Sequence, residues 1–357
     1  MNLKEHMPLN IRAPLNGLLG YGHAAINIIK ALAPTCDLSL MPIGYPHLTT
    51  QDGELFQQLF DVRFDKFSAF NKSLTIWHEN MLFDALPSKV ETIGYPFFEL
   101  DVFDTMRQRS LECVDRLFVS SKWAQEVMRS NGFGSDVVPL GVDGSIFYPQ
   151  ANNSAAYRFF TIGKIEERKC TRLLSEIFAA AFTAMDNVEL HIMCDSPLPA
   201  IQQQMPAFKD MVKNSPLGDK ITIHQMKPTD YELAKFIQGC DCGIYMTRAE
   251  GWGLPIIQSL SCGKPIIVTN YSAQTEFCTK ENSHLVEIDN LEPAFDGVWF
   301  NGTGNWAAIR ENQIEQCVHH MRACYLNNKR VNEAGIQTAK QFSWDNTANI
   351  IKGHLGL

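Results

Sequence analysis

Several motifs that mark familiar chemistry are missing from this 357-residue chain. Its ten cysteines form no Cys-x-x-Cys pair, and neither His-Glu-x-x-His nor Asp-x-Asp occurs, so the sequence indicates no metal site. Gly-x-Ser-x-Gly and the P-loop pattern are also absent, which argues against a serine hydrolase and a P-loop nucleotidase. Because Gly-x-Gly-x-x-Gly is missing as well, a nicotinamide dehydrogenase is poorly supported.

Long apolar segments are missing too. No uninterrupted apolar run approaches the roughly 18 residues that a membrane span needs, and residues 1–10 contain no apolar signal core. Scattered thiols without a disulfide framework suggest a reducing compartment. We therefore expect a cytoplasmic protein, with peripheral membrane contact left open. The formal net charge of −8 argues against an extended nucleic-acid surface.

Regular alternation of apolar strands and helical patterns is the main feature that is present. Hydrophobic residues make up 45% and charged residues 20% of the chain, enough for about two soluble domains. The alternation predicts parallel sheets covered by helices. Strands are predicted at Leu9–Ala13, Leu38–Ile43, Leu74–Trp77, Leu117–Ser120, Asp136–Pro139, Arg158–Ile162, Val188–Met193, Ile221–His224, Gly243–Met246 and Pro265–Thr269. Helices are predicted at His23–Leu32, Trp123–Ser130, Thr171–Ala184 and Tyr231–Gln238.

A turn-rich segment, Gly141–Ser154, is the best boundary between two halves of the chain. It contains a proline and several polar residues, and a new strand follows at once. Two Rossmann-like halves with a cleft between them are the architecture that this organisation predicts. The tail, Gln337–Leu357, is predicted to form a helix, a break near Phe342–Asp345, and a second helix.

The segment Asp241–Glu276 has the pattern of a small-ligand site in an α/β protein. Glu250 follows a strand, and Gly251, Trp252, Gly253 and Leu254 lead into a helix, where glycines and helix amides can approach a ligand closely. Gln258, eight positions after the acid, is predicted to lie in the first turns of that helix. The alternative is that the loop serves turn geometry alone.

Cations cluster after the first strand of the second half. Gly163 is followed by Lys164, Arg168 and Lys169, and cations at the carboxyl end of a strand suit a diphosphate. The alternative is an exposed, solvated turn in which neighbouring glutamates pair with the cations.

The first half offers two weaker signals. Gly20, Tyr21 and Gly22 lie between the first strand and a helix, where glycines permit close backbone approach to an anion. His78 closes another strand and could contact a sugar or an acceptor. A tight structural turn and a structural histidine are the alternatives.

Four segments together resemble the retaining glycosyltransferases of family 4, also described as glycosyl transferases group 1. They are similar, in the same order, to the family's linker, phosphate-binding, donor-sugar and C-terminal motifs, and they lie at Asp136–Pro149, Phe160–Leu174, Asp230–Glu276 and Phe342–Asp345. The resemblance implies an α/β GT-B fold of two Rossmann-like domains whose parallel sheets face a central cleft. Residues 1–149 would bind the acceptor, residues 150–339 would bind a nucleotide sugar, and a helix at about 340–357 would cross back onto the first domain.

The resemblance also implies roles for single residues. Lys164 and Lys169 match the cations that hold the donor's diphosphate, although the family more often has arginine at the first position. Glu250 matches the first acid of the E-x₇-E motif, which contacts sugar hydroxyls, and Gln258 stands where a second acid usually binds ribose. The remaining matches are His78 near the transferred sugar and, for donor binding, Gly20, Tyr21, Gly22, Gly163, Arg168, Gly251, Trp252, Gly253 and Leu254. Cys170 replaces a usual glycine, which we expect to be a mild change at a helix start.

The implied activity is transfer of a sugar from a donor such as a UDP- or GDP-sugar to an acceptor hydroxyl. The resemblance implies retention at the anomeric carbon, with no metal and no cofactor besides the donor. A glycan, lipid-linked sugar, protein or small-molecule acceptor is compatible with the sequence. Gln258 keeps open a weakly active or non-transferring sugar-nucleotide or glycan-binding protein, and a sugar-nucleotide epimerase on the same fold is a further alternative.

Overall fold

The computed structural model describes residues 7–196 and 198–357. The chain divides into two compact units. Unit 1 runs to Phe98 and includes Val102–Gly141 and Phe342–Leu357, and unit 2 comprises Glu99–Asp101 and Val142–Gln341. The first six residues of the predicted domain 1–149 lie outside the described residues. The acceptor and donor roles predicted for the two domains stay predictions.

Unit 1 is built on a six-stranded sheet in the order β2-β1-β3-β4-β5-β6, and every strand pair in it is parallel. The strands are β1 (Met7–Asn16), β2 (Cys36–His47), β3 (Lys72–His78), β4 (Thr92–Phe97), β5 (Arg116–Val119) and β6 (Asp136–Val137). The predicted strands of the first half coincide with five of these. Every residue of β4 is buried, so this strand has no alternation of apolar and polar residues to reveal it.

Helices complete unit 1. They are α1 (Gly20–Leu32), α2 (Thr50–Asp61), α3 (Arg63–Lys66), α4 (Thr105–Leu111), α5 (Lys122–Ser130) and, at the end of the chain, α13 (Trp344–Leu355). The last helix contacts α1. Ser343 caps α13 by accepting a hydrogen bond from the Asn346 amide, and the Thr347 hydroxyl donates to the Pro139 carbonyl at 2.7 Å. The predicted break before this helix is therefore its N-terminal cap.

Unit 2 contains a second six-stranded parallel sheet, in the order β12-β11-β10-β7-β8-β9. Its strands are β7 (Tyr157–Ile162), β8 (Val188–Asp195), β9 (Ile221–Gln225), β10 (Cys242–Tyr245), β11 (Ile266–Thr269) and β12 (His284–Val286). These apolar strands pack with the flanking helices in a continuous buried cluster. The predicted α/β class with parallel sheets is thus confirmed in both units.

The helices of unit 2 are α6 (Leu174–Ala181), α7 (Pro199–Gln202), α8 (Met205–Lys213), α9 (Asp230–Gln238), α10 (Leu254–Ser261), α11 (Glu311–Leu326) and α12 (Glu333–Ala339). An antiparallel hairpin of β13 (Leu291–Phe295) and β14 (Asn301–Ala307) follows β12 and was not predicted. Within the described ranges, no helix has both the length and the apolar character needed to cross a membrane.

Candidate functional site

Neighbouring strands of unit 2 bring the two predicted ligand loops together. β7 and β10 are adjacent and parallel, so the segment after Ile162 and the segment after Tyr245 emerge at the same edge of the sheet. The first segment carries the cations of Gly163–Lys169, and the second carries Glu250. The sheet topology therefore explains how residues more than 80 positions apart in the sequence meet.

Glu250 and Lys169 form a buried ion pair. The Lys169 Nζ lies 2.6 and 2.7 Å from the two carboxylate oxygens of Glu250, and a terminal nitrogen of Arg168 lies 3.2 Å from one of them. Burial alone would raise the pKa of Glu250, but Lys169 and then Arg168 outweigh it and hold the pKa below its usual value. The carboxylate is therefore ionised at neutral pH and already oriented.

The ion pairs continue along the cationic loop. Glu166 joins Lys164, at 2.9 Å, to Arg168, at 3.1 Å. Burial opposes ionisation of Glu166, yet Arg168 and Lys164 lower its pKa to about 2. Arg168 also donates to the Ala249 carbonyl at 2.7 Å and lies 3.4 Å from Glu99. Acids and cations thus alternate through a network in which Arg168, Glu166 and Glu250 are largely shielded from solvent.

The network has features of both interpretations of the cationic loop, a diphosphate site and a turn in which glutamates pair with the cations. The expected glutamate partners are present, as the structural alternative requires. The carboxylates of Glu166 and Glu250 are shielded from solvent together with Arg168, and a shielded charged network at the carboxyl edge of a parallel sheet is typical of functional sites. The lysines could exchange their carboxylate partners for the oxygens of a bound anion.

The structure corrects the prediction for Cys170. We expected a mild change at a helix start, but Cys170 lies between two 3₁₀ turns, Glu167–Lys169 and Thr171–Leu173, with φ 50° and ψ 24°. This is the left-handed region, which is costly for any residue with a Cβ atom. A glycine would adopt it without strain, so the cysteine is a strained substitution at the end of the cationic loop.

The glycine loop after Glu250 leads into α10. Gly253 has φ +95°, and a Cβ atom there would lie 2.8 Å from the Ile256 Cδ1 atom, so the position requires glycine. The Trp252 ring is buried against Phe277, with ring centroids 4.9 Å apart. Gln258 lies in the second turn of α10 and is 3% exposed. Gln258 therefore lies in the first turns of the helix, as predicted.

In unit 1, the structure brings the predicted residues near one another. Gly20 and Gly22 lie in the first turn of α1 rather than in a loop before it. A Cβ atom on Gly22 would lie 2.2 Å from the Asn16 carbonyl oxygen, so close packing of the helix on the end of β1 is sufficient reason for this glycine. The Tyr21 ring contacts the His78 ring, with centroids 4.4 Å apart. His78 is the last residue of β3.

Sequence reasoning missed residues that support the site from elsewhere in unit 2. Glu99 lies far from the cationic loop in the chain, and Ser272 and Gln274 lie in a polar turn after β11, inside the segment that resembles the donor-sugar motif but not among the residues given a role there. The Glu250 amide donates to the Ser272 hydroxyl at 2.8 Å, and the Ala273 amide donates to the Glu250 carbonyl at 3.3 Å. Only the fold brings these groups together. Among the described residues, no cluster of three or more histidine, cysteine or acidic side chains is arranged to hold a metal ion.

Comparison with known proteins matches part of unit 2 to a family. The family model described as Glycosyl transferases group 1 matches residues 156–297. A search of curated proteins found no match. The matched residues contain the cationic loop, Glu250 and Gln258.

Solved structures share the fold of the whole chain at low sequence identity. Sucrose-phosphate synthase from Thermosynechococcus elongatus is 15% identical with a TM-score of 0.70, and the alignment covers 98% of each chain. HepE of Anabaena, solved with UDP and glucose, is 12% identical with a TM-score of 0.72 and coverage of 98% of this chain and 100% of its own. The lipopolysaccharide outer core galactosyltransferase WaaB is 12% identical with a TM-score of 0.65, covering 98% and 99%. These likenesses show the GT-B fold of the chain, and the family match shows that residues 156–297 form a glycosyl transferases group 1 domain.

Proposed function

We propose that this protein is a group 1 glycosyl transferase that moves a sugar from a nucleotide-sugar donor to an acceptor hydroxyl with retention at the anomeric carbon. The observation that carries the proposal is the buried pair of Glu250 and Lys169, joined to Arg168 at the carboxyl edge of the unit 2 sheet. The pair lies within the matched domain. It provides a cation for the diphosphate of such a donor and a carboxylate for its sugar hydroxyls. Structures of HepE contain UDP and UDP-glucose, which supports a UDP-sugar as the first donor to test.

Donor binding would exchange the partners of this ion pair. A diphosphate offers Lys164 and Lys169 more negative charge than their present carboxylate partners do, so the lysines would turn toward it. Glu250 would then be free to accept hydrogen bonds from the sugar hydroxyls. Removing one partner from a buried ion pair is costly, so the exchange is favourable only when phosphate and sugar are bound together. The pair would thus favour an intact nucleotide sugar over either part alone.

Catalysis would rest on positioning and electrostatics. The bond between the anomeric carbon and the diphosphate oxygen breaks, and negative charge grows on the departing diphosphate beside Lys164 and Lys169. The acceptor oxygen bonds to the anomeric carbon, and its proton passes to a donor phosphate oxygen. Because the lysines provide the positive charge, the reaction needs no divalent metal. Gln258 would hydrogen bond to the ribose, since a carboxamide can both donate and accept.

Roles in unit 1 follow from the resemblance and the contacts there. His78, which contacts Tyr21, would lie near the transferred sugar. Gly20 and Gly22 would permit approach of phosphate or acceptor to the start of α1. The acceptor itself would be a hydroxyl compound.

The test is release of nucleoside diphosphate from a panel of nucleotide sugars, with UDP-glucose first, in the presence and absence of acceptors. Lys169→Ala should lower kcat/KM by about 10²–10³, the usual effect of losing one preorganised charged contact. Lys209→Ala is the matched control, because this exposed lysine of α8 is paired only loosely, at 3.6 Å, with Asp195. Addition of EDTA should leave the rate unchanged. Near-normal turnover by Lys169→Ala would refute the phosphate assignment.

A non-transferring nucleotide-sugar-binding protein is the second candidate, and Gln258 in place of an acid is the observation that favours it. The same panel separates the two. Binding of UDP-glucose without release of UDP, with all acceptors tried, would favour the binding protein.

A further inference from the structure

Ser272 adopts a backbone conformation that serine rarely tolerates. It follows β11 with φ 66° and ψ −155°, in a region that is populated almost only by glycine. The residue is 1% exposed. Such strain persists only where the surrounding structure fixes it, and it is concentrated at functional sites.

The Ser272 hydroxyl belongs to a buried hydrogen-bond chain with a defined direction. Its oxygen accepts the Glu250 amide proton at 2.8 Å, so its own proton must go to the Gln274 Oε1 atom, also at 2.8 Å. The Gln274 amide nitrogen in turn donates to the Thr269 carbonyl and hydroxyl, each at 3.2 Å. The Thr269 hydroxyl donates to the Thr247 carbonyl at 2.6 Å. Each of these residues is buried.

This chain fixes the main chain of Glu250 to the rigid ends of two strands. Thr247 follows β10 and Thr269 ends β11, and these two strands are neighbours in the unit 2 sheet with neither at its edge. Ala273 adds a second hydrogen bond to the Glu250 main chain, because its amide donates to the Glu250 carbonyl. Both backbone polar groups of Glu250 are thus held by the turn that Ser272 begins. Its carboxylate direction is set by these bonds as well as by Lys169.

We propose that Ser272 is a positioning residue whose hydroxyl holds the Glu250 main chain so that the carboxylate is aimed before the donor sugar arrives. The inference rests on the proposed function. A glycine at 272 would adopt the same backbone without strain, but it could not accept the Glu250 amide proton. The hydroxyl is the one feature of serine that compensates for the strained conformation.

The experiment compares Ser272→Gly with Ser272→Ala. Both variants lose the hydroxyl, while only the glycine variant loses the strain. We expect Ser272→Gly to melt at or above the wild-type temperature and Ser272→Ala to melt below it. Both should lower kcat/KM for UDP-glucose by about 10-fold or more, because small misplacements of a positioning group are costly. Affinity for UDP alone should not change, since both variants keep the Glu250 carboxylate that pairs with Lys169.

Ser215→Ala is the matched control. The Ser215 hydroxyl donates to a main-chain carbonyl, that of Val212 at 2.7 Å, after α8 and away from the site. This variant should keep the wild-type kcat and KM. A Ser272→Gly enzyme with wild-type kcat and KM would overturn the inference while leaving the proposed function intact. A wild-type protein that neither binds nor turns over any nucleotide sugar would overturn both.

Discussion

At the scale of single residues, Lys169 and Glu250 pair with each other in the structure. In the proposed complex, Lys169 would pair with the diphosphate and Glu250 with the sugar. The carboxylate holds the lysine that the diphosphate would bind, and the lysine neutralises the acid that the sugar would contact. Because Glu250 is buried and the Lys169 side chain is only 14% exposed, neither charged group is solvated well without a partner. The affinity for a ligand therefore depends on how many of these partners it replaces.

Glu250→Gln separates the two roles of the pair. The amide is nearly isosteric, but it no longer attracts Lys169 as a charge, so the lysine is available to phosphate. We expect UDP to bind at least as tightly as it does to the wild type, while turnover of UDP-glucose falls by about 10² or more. Isothermal titration with UDP and UDP release assays measure the two effects. Weaker binding of UDP to Glu250→Gln would contradict the competition between carboxylate and phosphate.

Cys170 allows a test of local strain that does not depend on catalysis. Both Cys170→Gly and Cys170→Ala remove the buried thiol, so the difference between them reports the cost of the left-handed conformation. Glycine usually destabilises regular structure by roughly 0.5–1 kcal/mol relative to alanine, but at a left-handed position the order reverses. We expect the glycine variant to be more stable by about 1 kcal/mol in urea unfolding. A more stable alanine variant would show that the position is not strained.

At the scale of elements, the cationic loop between β7 and α6 depends on its buried acids. Glu166 has a pKa of about 2 in the folded protein, below its ordinary value of 4.5. A depressed carboxyl pKa contributes stability that is present above the ordinary value and lost as the pH falls through the folded value. The ion pairs of Glu166 with Lys164 and Arg168 should therefore weaken between about pH 4.5 and pH 2.

Glu166→Gln isolates this contribution from the rest of the acid titration. At pH 7 the variant should be less stable than the wild type, because Lys164 and Arg168 lose a buried counter-charge. The difference should shrink as the pH falls from 4.5 toward 2. Urea unfolding at several pH values measures it. A stability difference that stays constant over this range would show that Glu166 is not an ionised partner in the fold.

The strands and helices differ in how well the sequence predicts them. Most apolar strands with a helical pattern after them were predicted within a few residues, because an apolar run followed by an amphipathic pattern is a local signal. β4 was missed because it is buried throughout and contains Gly94 and Pro96, which normally argue against a strand. The hairpin of β13 and β14 was missed because its exposed residues and glycines suggest a loop.

At the scale of the whole molecule, two six-stranded parallel sheets and the group 1 domain agree with what the sequence predicted. The residues of the site could be named because glycines and cations after apolar strands are local patterns. Its geometry could not be predicted, because the contacts of Arg168 with Glu99 and of Glu250 with Ser272 join distant segments. The direct pairing of Glu250 with Lys169 likewise follows only from the adjacency of β7 and β10.

We propose above all that the protein breaks the sugar–diphosphate bond of a nucleotide sugar with retention at the anomeric carbon. Time-resolved proton NMR of the purified protein with UDP-glucose, and then with other α-linked nucleotide sugars, tests it most directly. A donor should release its nucleoside diphosphate, and the first sugar product, transferred or hydrolysed, should have the α configuration. A first product in the β configuration, or no turnover of any donor, would contradict it.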